Sequence, residues 1–187
     1  MKRNQLRIIG GQWRSRRISF PSAADLRPTP DRVRETLFNW LGPHLDGASC
    51  LDCFAGSGIL SFEALSRGAA HAVAIENNRQ LSELLKKHAA ELGTTQLKVI
   101  HTNATHWLKK DPRPYDVIFL DPPYRSNQLP ICLPLLNTGW CHLNTLVYFE
   151  SNYPLAEQNI PSSFEIMKEK KAGQVYFYLA RALRPEQ

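Results

Sequence analysis

Hydrophobic positions along the chain alternate between short apolar runs and stretches with helical spacing. Apolar runs typical of buried parallel strands occupy residues 48–53, 71–76, 97–102, 117–121 and 145–151. Between the first three runs, apolar residues recur with the period of an α-helix over 59–67 and 77–92. Strands that alternate with helices in this way predict an α/β fold built on a mainly parallel sheet.

Both ends of the chain depart from this alternation. Residues 7–20 predict a β-hairpin with Gly10-Gly11 in the turn, and residues 164–170 and 174–181 predict a second hairpin around Ala172-Gly173. Residues 27–41 predict a helix with Thr29 as its N-cap, and Leu129 to Leu136 predict a short helix. The second strand of the first hairpin, or its flank, carries basic and aromatic residues: Trp13, Arg14, Arg16, Arg17 and Phe20.

The apolar run 117–121 ends on a carboxylate that is followed by two prolines. Neither Pro122 nor Pro123 can donate to a sheet, so the strand must stop at Asp121. Ligands of open α/β sheets bind at the carboxyl ends of the strands. Asp121, the Pro122 carbonyl and the Tyr124 ring therefore form a candidate site, and an ordinary surface turn with Tyr124 as a packing residue is the alternative.

A glycine-rich turn follows the first strand of the alternating series. Gly56 and Gly58 permit a tight turn and a close approach of the backbone to a ligand. A dinucleotide-binding fingerprint needs a third glycine where this chain has Ser61, and no P-loop motif is present. Glu76 ends the next strand, where a carboxylate can accept hydrogen bonds from ribose hydroxyls or simply cap the following helix.

The positive charge of the chain is concentrated at its N-terminal end. The formal net charge is +6, and residues 1–35 contain nine Lys and Arg against three Asp and Glu, whereas the remaining residues contain 14 of each. Clustered positive charge favours a polyanionic partner, above all nucleic acid, and a solvated basic tail is the alternative.

Length, cysteine spacing and hydropathy narrow the class of protein. The 187 residues suffice for one α/β domain, and they contain no apolar run long enough to cross a membrane and no secretory signal. Cys50 and Cys53 form a C-x-x-C pair in a predicted strand, which places them on opposite faces and argues against a shared metal. We expect a cytoplasmic protein with reduced cysteines and no metal.

The motifs together resemble those of a known enzyme family. Asp-Pro-Pro-Tyr at 121–124 is the signature of methyltransferases that modify exocyclic amino groups of bases, and Asp52, Phe54, Gly56 and Gly58 resemble the first motif of S-adenosylmethionine-dependent methyltransferases. The further pieces Arg-Ile-Ile-Gly-Gly, Arg-Pro-Thr-x-Asp-x-x-Arg-Glu and Glu-Ala-Leu-Ser-Arg-Gly-Ala extend the match over nearly the whole chain. In this the chain is similar to the RsmD family of bacterial 16S rRNA guanine-N2 methyltransferases.

The resemblance implies a fold, a domain division and a reaction. It implies a Rossmann-like class I methyltransferase with a seven-stranded, mostly parallel sheet whose last strand is antiparallel, preceded by a β-hairpin and a helix. Residues 1–26 would form a basic hairpin extension, and residues 27–187 the methyltransferase domain. The implied reaction transfers a methyl group from S-adenosyl-L-methionine to N2 of one guanine in 16S rRNA, within the small ribosomal subunit, by a monomer. We expect Ser61 to adjust helix packing rather than to remove activity.

The resemblance also assigns residues to roles. Asp121, Pro122 and Tyr124 would hold the guanine amine for catalysis. The cofactor would be surrounded by Asp52, Phe54, Ala55, Gly56, Ser57, Gly58, Glu76, Asn77, Asn103, Ala104 and Asp121. The RNA would be bound by Arg7, Arg14, Arg16 and Arg17. Two other functions stay open, an adenine-N6 methyltransferase acting on DNA or RNA and a non-catalytic, cofactor-binding rRNA chaperone.

Overall fold

The computed structural model describes residues 3–21, 29–123, 126–154 and 159–183. The strands are β1 Arg3–Arg7, β2 Arg17–Pro21, β3 Ser49–Asp52, β4 His71–Glu76, β5 Leu97–His101, β6 Tyr115–Leu120, β7 Cys141–Ser151, β8 Phe164–Ala172 and β9 Val175–Ala182. The helices are α1 Asp31–Leu41, α2 Ile59–Ser66, α3 Arg79–Glu91, α4 Ala104–Trp107 and α5 Leu129–Leu135.

Within the described residues, strands β3 to β9 form one sheet of seven strands in the order β5-β4-β3-β6-β7-β9-β8. The pairs from β5 to β7 are parallel, and β9 runs antiparallel to both of its neighbours, β7 and β8. This is the predicted Rossmann-like sheet. The strand order reverses between β3 and β6, so a crevice opens at the carboxyl ends of these two strands.

Both faces of the sheet are covered, which explains why its strands read as continuous apolar runs. The β1–β2 hairpin, α1, α2 and α3 cover one face, and α4 and α5 cover the other. The two sets of core side chains separate by strand parity, as the pleat requires. Cys50 belongs to the first core and Cys53 to the second, which confirms the prediction that the pair points to opposite faces.

The N-terminal hairpin exists, but its turn differs from the predicted one. Arg7 pairs with Arg17, and the connection from residue 8 to residue 16 is long and packs on α2. A Cβ atom on Gly11, whose φ is +74°, would lie 1.7 Å from the Ser66 carbonyl oxygen. The glycine pair is therefore explained by close contact with α2 rather than by a tight two-residue turn.

The N-cap predicted for the first helix is wrong. Helix α1 begins at Asp31 with Pro30 as its N-cap, and no side-chain hydrogen bond to this cap is present in the described part of the chain. Residues 27 and 28 of the predicted helix lie outside the described residues. Thr29 is buried, and its hydroxyl donates to Asp121 after β6 instead of capping α1. The preference of threonine for a helix cap is therefore overridden by a tertiary hydrogen bond.

Strand β7 begins four residues before the predicted strand. His142 to Asn144 are polar or exposed and interrupt the apolar run, and Asn144 has a φ of +74°. The extended backbone is nevertheless held, because the Thr145 hydroxyl donates to the Tyr115 carbonyl oxygen (2.6 Å) and accepts from the His142 amide (2.9 Å). Side-chain hydrogen bonds thus extend the strand where hydrophobic pattern alone ends it.

None of the described helices is long and apolar enough to span a lipid bilayer.

Candidate active site

Three carboxylates lie at the carboxyl ends of neighbouring strands, on the same face of the sheet. Asp52 is the last residue of β3, Asp121 directly follows β6, and Glu150 is the second-last residue of β7. The register pairs Asp52 with Phe119 and Leu120 with Phe149, so Asp121 and Glu150 are adjacent across the strands. Asp52 and Glu150 are buried, whereas Asp121 is partly exposed. We call Asp52, Asp121 and Glu150 the carboxylate trio.

Burial and nearby negative charge raise the pKa values of two members of the trio, Asp52 and Asp121. Burial raises the pKa of Asp52 to about 6, although a hydrogen bond from Ser61 acts in the opposite direction. Burial and then the charges of Glu150 and Asp52 hold the pKa of Asp121 well above its usual range. A bound cation or a set of N–H donors would stabilise the ionised forms. The site is therefore electrostatically suited to a ligand that carries a positive charge and to a second ligand that presents N–H donors.

The side chain of Asp121 is held from outside the sheet. The Thr29 hydroxyl donates to its Oδ2 atom at 3.3 Å, and Thr29 is only 5% exposed. Pro122 is buried directly after the strand, as the Asp-Pro-Pro sequence predicts. Tyr124, the third predicted catalytic residue, lies outside the described residues.

The glycine-rich loop between β3 and α2 is fixed by the neighbouring strand β4. Gly56 has a φ of +52°, and its amide donates to Glu76 Oε2 at 2.8 Å. The other Glu76 oxygen accepts from the Asn78 amide at 2.7 Å, so one buried carboxylate joins two loops. Gly58 has a φ of +77°, and a Cβ atom there would lie 2.3 Å from a Leu85 methyl carbon, so its lack of a side chain also permits helix packing.

Ser61 has a more direct part in the site than the predicted adjustment of helix packing. The side chain is fully buried, and its hydroxyl donates to Asp52 Oδ2 at 2.7 Å. The hydrogen bond supports the charged form of the first member of the trio. A serine at this position therefore donates a hydrogen bond to Asp52, which a glycine could not do.

The remaining cofactor residues predicted from the sequence lie along the same edge of the sheet. Asn77 and Asn103 are exposed, and Ala104 is buried at the start of α4. Asn103 Oδ1 accepts from the amides of Thr105 (2.9 Å) and His106 (3.3 Å), so Asn103 caps α4. Phe54, Ala55 and Ser57 complete the loop between β3 and α2.

The predicted RNA-binding arginines divide into two groups. Arg7 lies 4.0 Å from Asp31 at the start of α1, near the edge of the sheet that carries Asp121. Arg14 and Arg16 lie on the long connection of the hairpin, which contacts the ends of α2 and α3 through Ser66 and the Glu91 carbonyl oxygen. Those helix ends are at the opposite edge of the sheet. Arg17 starts β2, where it pairs with Arg7 across the hairpin, and all four arginines are exposed.

Sequence patterns did not point to three buried polar residues near the site. Glu150 continues an apolar strand, Thr29 looks like a helix cap, and Arg34 looks like an exposed helix residue. Arg34 and Glu63 are both fully buried and form an ion pair of 2.7 Å between α1 and α2. Arg34 lies four residues before the apolar Phe38, so it falls on the buried face of α1. This spacing is the sequence signal that could have indicated its burial.

Among the described residues, no group of His, Cys, Asp or Glu side chains has the arrangement of a metal site. The four cysteines are buried and unpaired with one another, and burial raises the pKa of the Cys50 and Cys141 thiols to about 12. These thiols are consequently not reactive nucleophiles at neutral pH.

The sheet order and the acidic, glycine-containing edge together define a Rossmann-like methyltransferase. The family described as Conserved hypothetical protein 95 matches residues 6–181 of the chain. A curated relative, Ribosomal RNA small subunit methyltransferase D of Escherichia coli (strain K12), is 46% identical over 176 residues, which cover 94% of this chain and 89% of the relative. The chain therefore belongs to the family of ribosomal RNA small subunit methyltransferase D.

Solved structures support the same assignment. The yhhF protein from Escherichia coli shares 44% sequence identity with this chain, and its structure superposes with a TM-score of 0.87. The match covers 97% of this chain and 99% of the yhhF chain. The structure of SMU.776, a methyltransferase in complex with SAH, shares only 14% identity and has a TM-score of 0.64, with 81% of this chain and 48% of that chain covered. At this identity, the second comparison shows a shared fold.

Proposed function

We propose that this protein transfers a methyl group from S-adenosyl-L-methionine to the exocyclic N2 amine of a specific guanine in 16S rRNA. The observation that carries the proposal is the placement of Asp121, which follows β6 beside the buried Glu150 and accepts a hydrogen bond from Thr29. A carboxylate fixed in this position can accept hydrogen bonds from an amine at the strand end.

The chain's own residues would activate the amine. An exocyclic amine is a weak nucleophile because its lone pair is delocalised into the ring. Hydrogen bonds from the amine to Asp121 and to the Pro122 carbonyl oxygen favour a pyramidal nitrogen with an available lone pair. Asp121 also stabilises the positive charge that develops on nitrogen, and Tyr124 is assigned by the sequence to stack on the base. Catalysis then rests on orientation and electrostatics.

The residues at the carboxyl edge fit S-adenosylmethionine. When bound, this cofactor supplies an electrophilic methyl group on a positively charged sulfonium. The carboxylate trio favours a cation at the strand ends, and the positive φ of Gly56 permits a close backbone approach. Glu76 would accept from the ribose, and Asn103 would contact the adenine. The methyltransferase neighbour solved with SAH supports this assignment.

The N-terminal motifs Arg-Ile-Ile-Gly-Gly and Arg-Pro-Thr-x-Asp-x-x-Arg-Glu favour guanine over adenine as the target, because the resemblance to the guanine-N2 family extends to them. To reach Asp121, the base must leave its stack or be already unpaired.

The substrate class follows from the relatives and from the charge of the chain. Relatives at 46% and 39% identity are named as small-subunit rRNA methyltransferases, and the N-terminal basic residues suit a phosphate backbone. Mass spectrometry of 16S rRNA nucleosides from a deletion strain, with and without this chain, tests the proposal. Restoration of one N2-methylguanosine is expected, and restoration of N6-methyladenosine or of no modification would refute it.

We predict that Glu76→Ala weakens the binding of S-adenosylmethionine at least about ten-fold, because charge-assisted hydrogen bonds are worth roughly 1.5–3 kcal/mol each. Part of this loss would come from the loop, since Glu76 also accepts from the Gly56 and Asn78 amides. Titration calorimetry of the folded variant measures the effect. The control Glu165→Ala removes an exposed carboxylate on β8 and should leave affinity unchanged. Parental affinity in Glu76→Ala would remove this residue from the cofactor site.

We predict that changing Arg14, Arg16 and Arg17 together to Ala weakens RNA binding without slowing methyl transfer at saturating RNA. The reason is position, because Arg14 and Arg16 lie on the hairpin connection, which contacts the helix ends away from Asp121, and Arg17 directly follows that connection. The loss of affinity should shrink as salt rises, since each phosphate contact releases counterions.

A charge-matched control distinguishes specific contacts from net charge. Lys86, Lys87 and Lys98 are exposed on α3 and β5, and their joint replacement by Ala removes the same charge. Filter binding of 16S rRNA across a salt titration compares the two variants. If both weaken binding equally, or neither does, then the hairpin arginines have no specific role in RNA binding.

A further inference from the structure

Thr29 contacts the candidate active site from a position outside the sheet. It lies directly before Pro30, the N-cap of α1, and its side chain faces the carboxyl end of β6. Its hydroxyl donates to Asp121 Oδ2 at 3.3 Å, and the residue is 5% exposed. The hydroxyl that the sequence assigns to a helix cap therefore serves the carboxylate on which the proposed chemistry depends.

The backbone of Thr29 is held in turn by a buried cation. Arg34 is fully buried, and its Nε atom donates to the Thr29 carbonyl oxygen at 3.2 Å. Its Nη1 atom donates to the Arg7 carbonyl oxygen (3.0 Å) and to Glu63 (2.7 Å), and Glu63 also accepts from the Ile9 amide (2.6 Å). One guanidinium thus fixes Thr29 against α2 and the hairpin.

We propose that Thr29 is a positioning residue for methyl transfer, which fixes the orientation of the Asp121 carboxylate through its hydroxyl, and that Arg34 holds Thr29 in place to do so. This inference rests on the proposed function, in which Asp121 receives the target amine. With Oδ2 engaged by Thr29, the Oδ1 atom of Asp121 is left to face the amine. A fixed acceptor stabilises the transition state more than a mobile one, because it does not have to reorient during the reaction.

Thr29 also affects the charge of Asp121. The hydrogen bond from Thr29 lowers the pKa of Asp121, whereas burial and the charges of Glu150 on β7 and Asp52 on β3 raise it. Loss of the hydroxyl would therefore raise the pKa of Asp121 further. Since the proposed chemistry needs the ionised form, the acidic limb of the rate profile should then move to higher pH.

The test compares variants that remove or retain the hydroxyl. In Thr29→Val the shape is kept and the hydroxyl is lost, and we expect single-turnover methyl transfer to 30S particles to fall about ten-fold at neutral pH. In Thr29→Ser the hydroxyl is kept, and the rate should stay within about three-fold of the parent. The affinity for S-adenosylmethionine should be unchanged in both, and the defect of Thr29→Val should decrease as pH rises.

Controls separate this role from a merely structural one. Thr36→Val makes the same substitution on α1, where the hydroxyl contacts only the Arg32 carbonyl oxygen among the described residues, and should keep both the rate and the pH profile. Thr29→Ala also removes the hydroxyl without adding a methyl group, so it provides the same readout if Thr29→Val fails to fold.

The outcomes distinguish this inference from the proposed function. A parental rate and pH profile in Thr29→Val or Thr29→Ala, together with an inactive Asp121→Ala, would overturn the role of Thr29 and leave the proposed function intact. Substantial activity in Asp121→Ala would instead overturn the proposed site itself. A slow Thr29→Ser variant with an unshifted pH profile would also overturn the role assigned to the hydroxyl.

Discussion

Replacement of Asp121 by alanine is expected to lower the single-turnover rate of methyl transfer by about 10²–10³-fold or more, because one fixed electrostatic partner of a reacting group is worth this much. Asp121 lies where β6 stops against two prolines, and Thr29 holds its carboxylate from the side. Asp121→Asn should retain a small residual rate, since the amide keeps one acceptor oxygen but loses the charge. The measurement is made at saturating cofactor, so that binding and chemistry are separated.

A matched control lies on the same strand. Asp116 is near the other end of β6, where it accepts hydrogen bonds from Ser49 and pairs with His142 at 2.9 Å. Asp116→Asn removes a carboxylate from the same strand without approaching the candidate site, so it should keep the rate of the parent. Equal rates in Asp121→Ala, Asp116→Asn and the parent would exclude Asp121 from the mechanism.

Replacement of Glu63 by alanine is expected to lower the free energy of unfolding by about 3–5 kcal/mol, because it removes the fully buried counter-charge of the buried Arg34 guanidinium and leaves it the half-exposed Asp31. Glu63 is fully buried and also accepts from the Ile9 amide and from Arg67. The loss would therefore loosen the hairpin as well as the pair between α1 and α2. For a domain of this size the thermal midpoint should fall by roughly 6–20 °C.

The control for this prediction is an exposed ion pair of similar length. Glu83 lies 2.8 Å from Lys86 on the surface of α3, and exposed pairs contribute little to stability. Glu83→Ala should therefore leave the thermal midpoint close to that of the parent. If calorimetry finds equal midpoints for Glu63→Ala and Glu83→Ala, the buried pair does not hold the hairpin and helices together.

Sequence patterns predicted the sheet well because its strands carry their own signal. β4 matches its predicted range of residues 71–76, and the run that ends at Asp121 became β6, since strands buried on both faces must be apolar throughout. The resemblance to a known family supplied the number of strands and the antiparallel direction of the last one, which no periodicity within the strands contains. Both were confirmed, since the sheet has seven strands in the described residues and β9 is antiparallel to its neighbours.

The parts that sequence patterns missed depend on contacts between distant elements. The Thr29 hydroxyl was assigned to a local cap, but its partner Asp121 lies 92 residues away. Arg34 reads as a surface residue until Glu63, 29 residues further on, is placed beside it. The position of Glu150 next to Asp121 follows from the pairing of β6 with β7. Each of these contacts requires the topology, which local propensity does not specify.

Transfer of a labelled methyl group to the 30S subunit identifies the base that the protein modifies. Purified protein is incubated with 30S subunits that lack the modification and with S-adenosylmethionine carrying a labelled methyl group, and the digested 16S rRNA is resolved into nucleosides. We expect one labelled methyl group per particle, as N2-methylguanosine, and its loss with Asp121→Ala. Label in N6-methyladenosine, or no transfer at all by the folded parent protein, would contradict it.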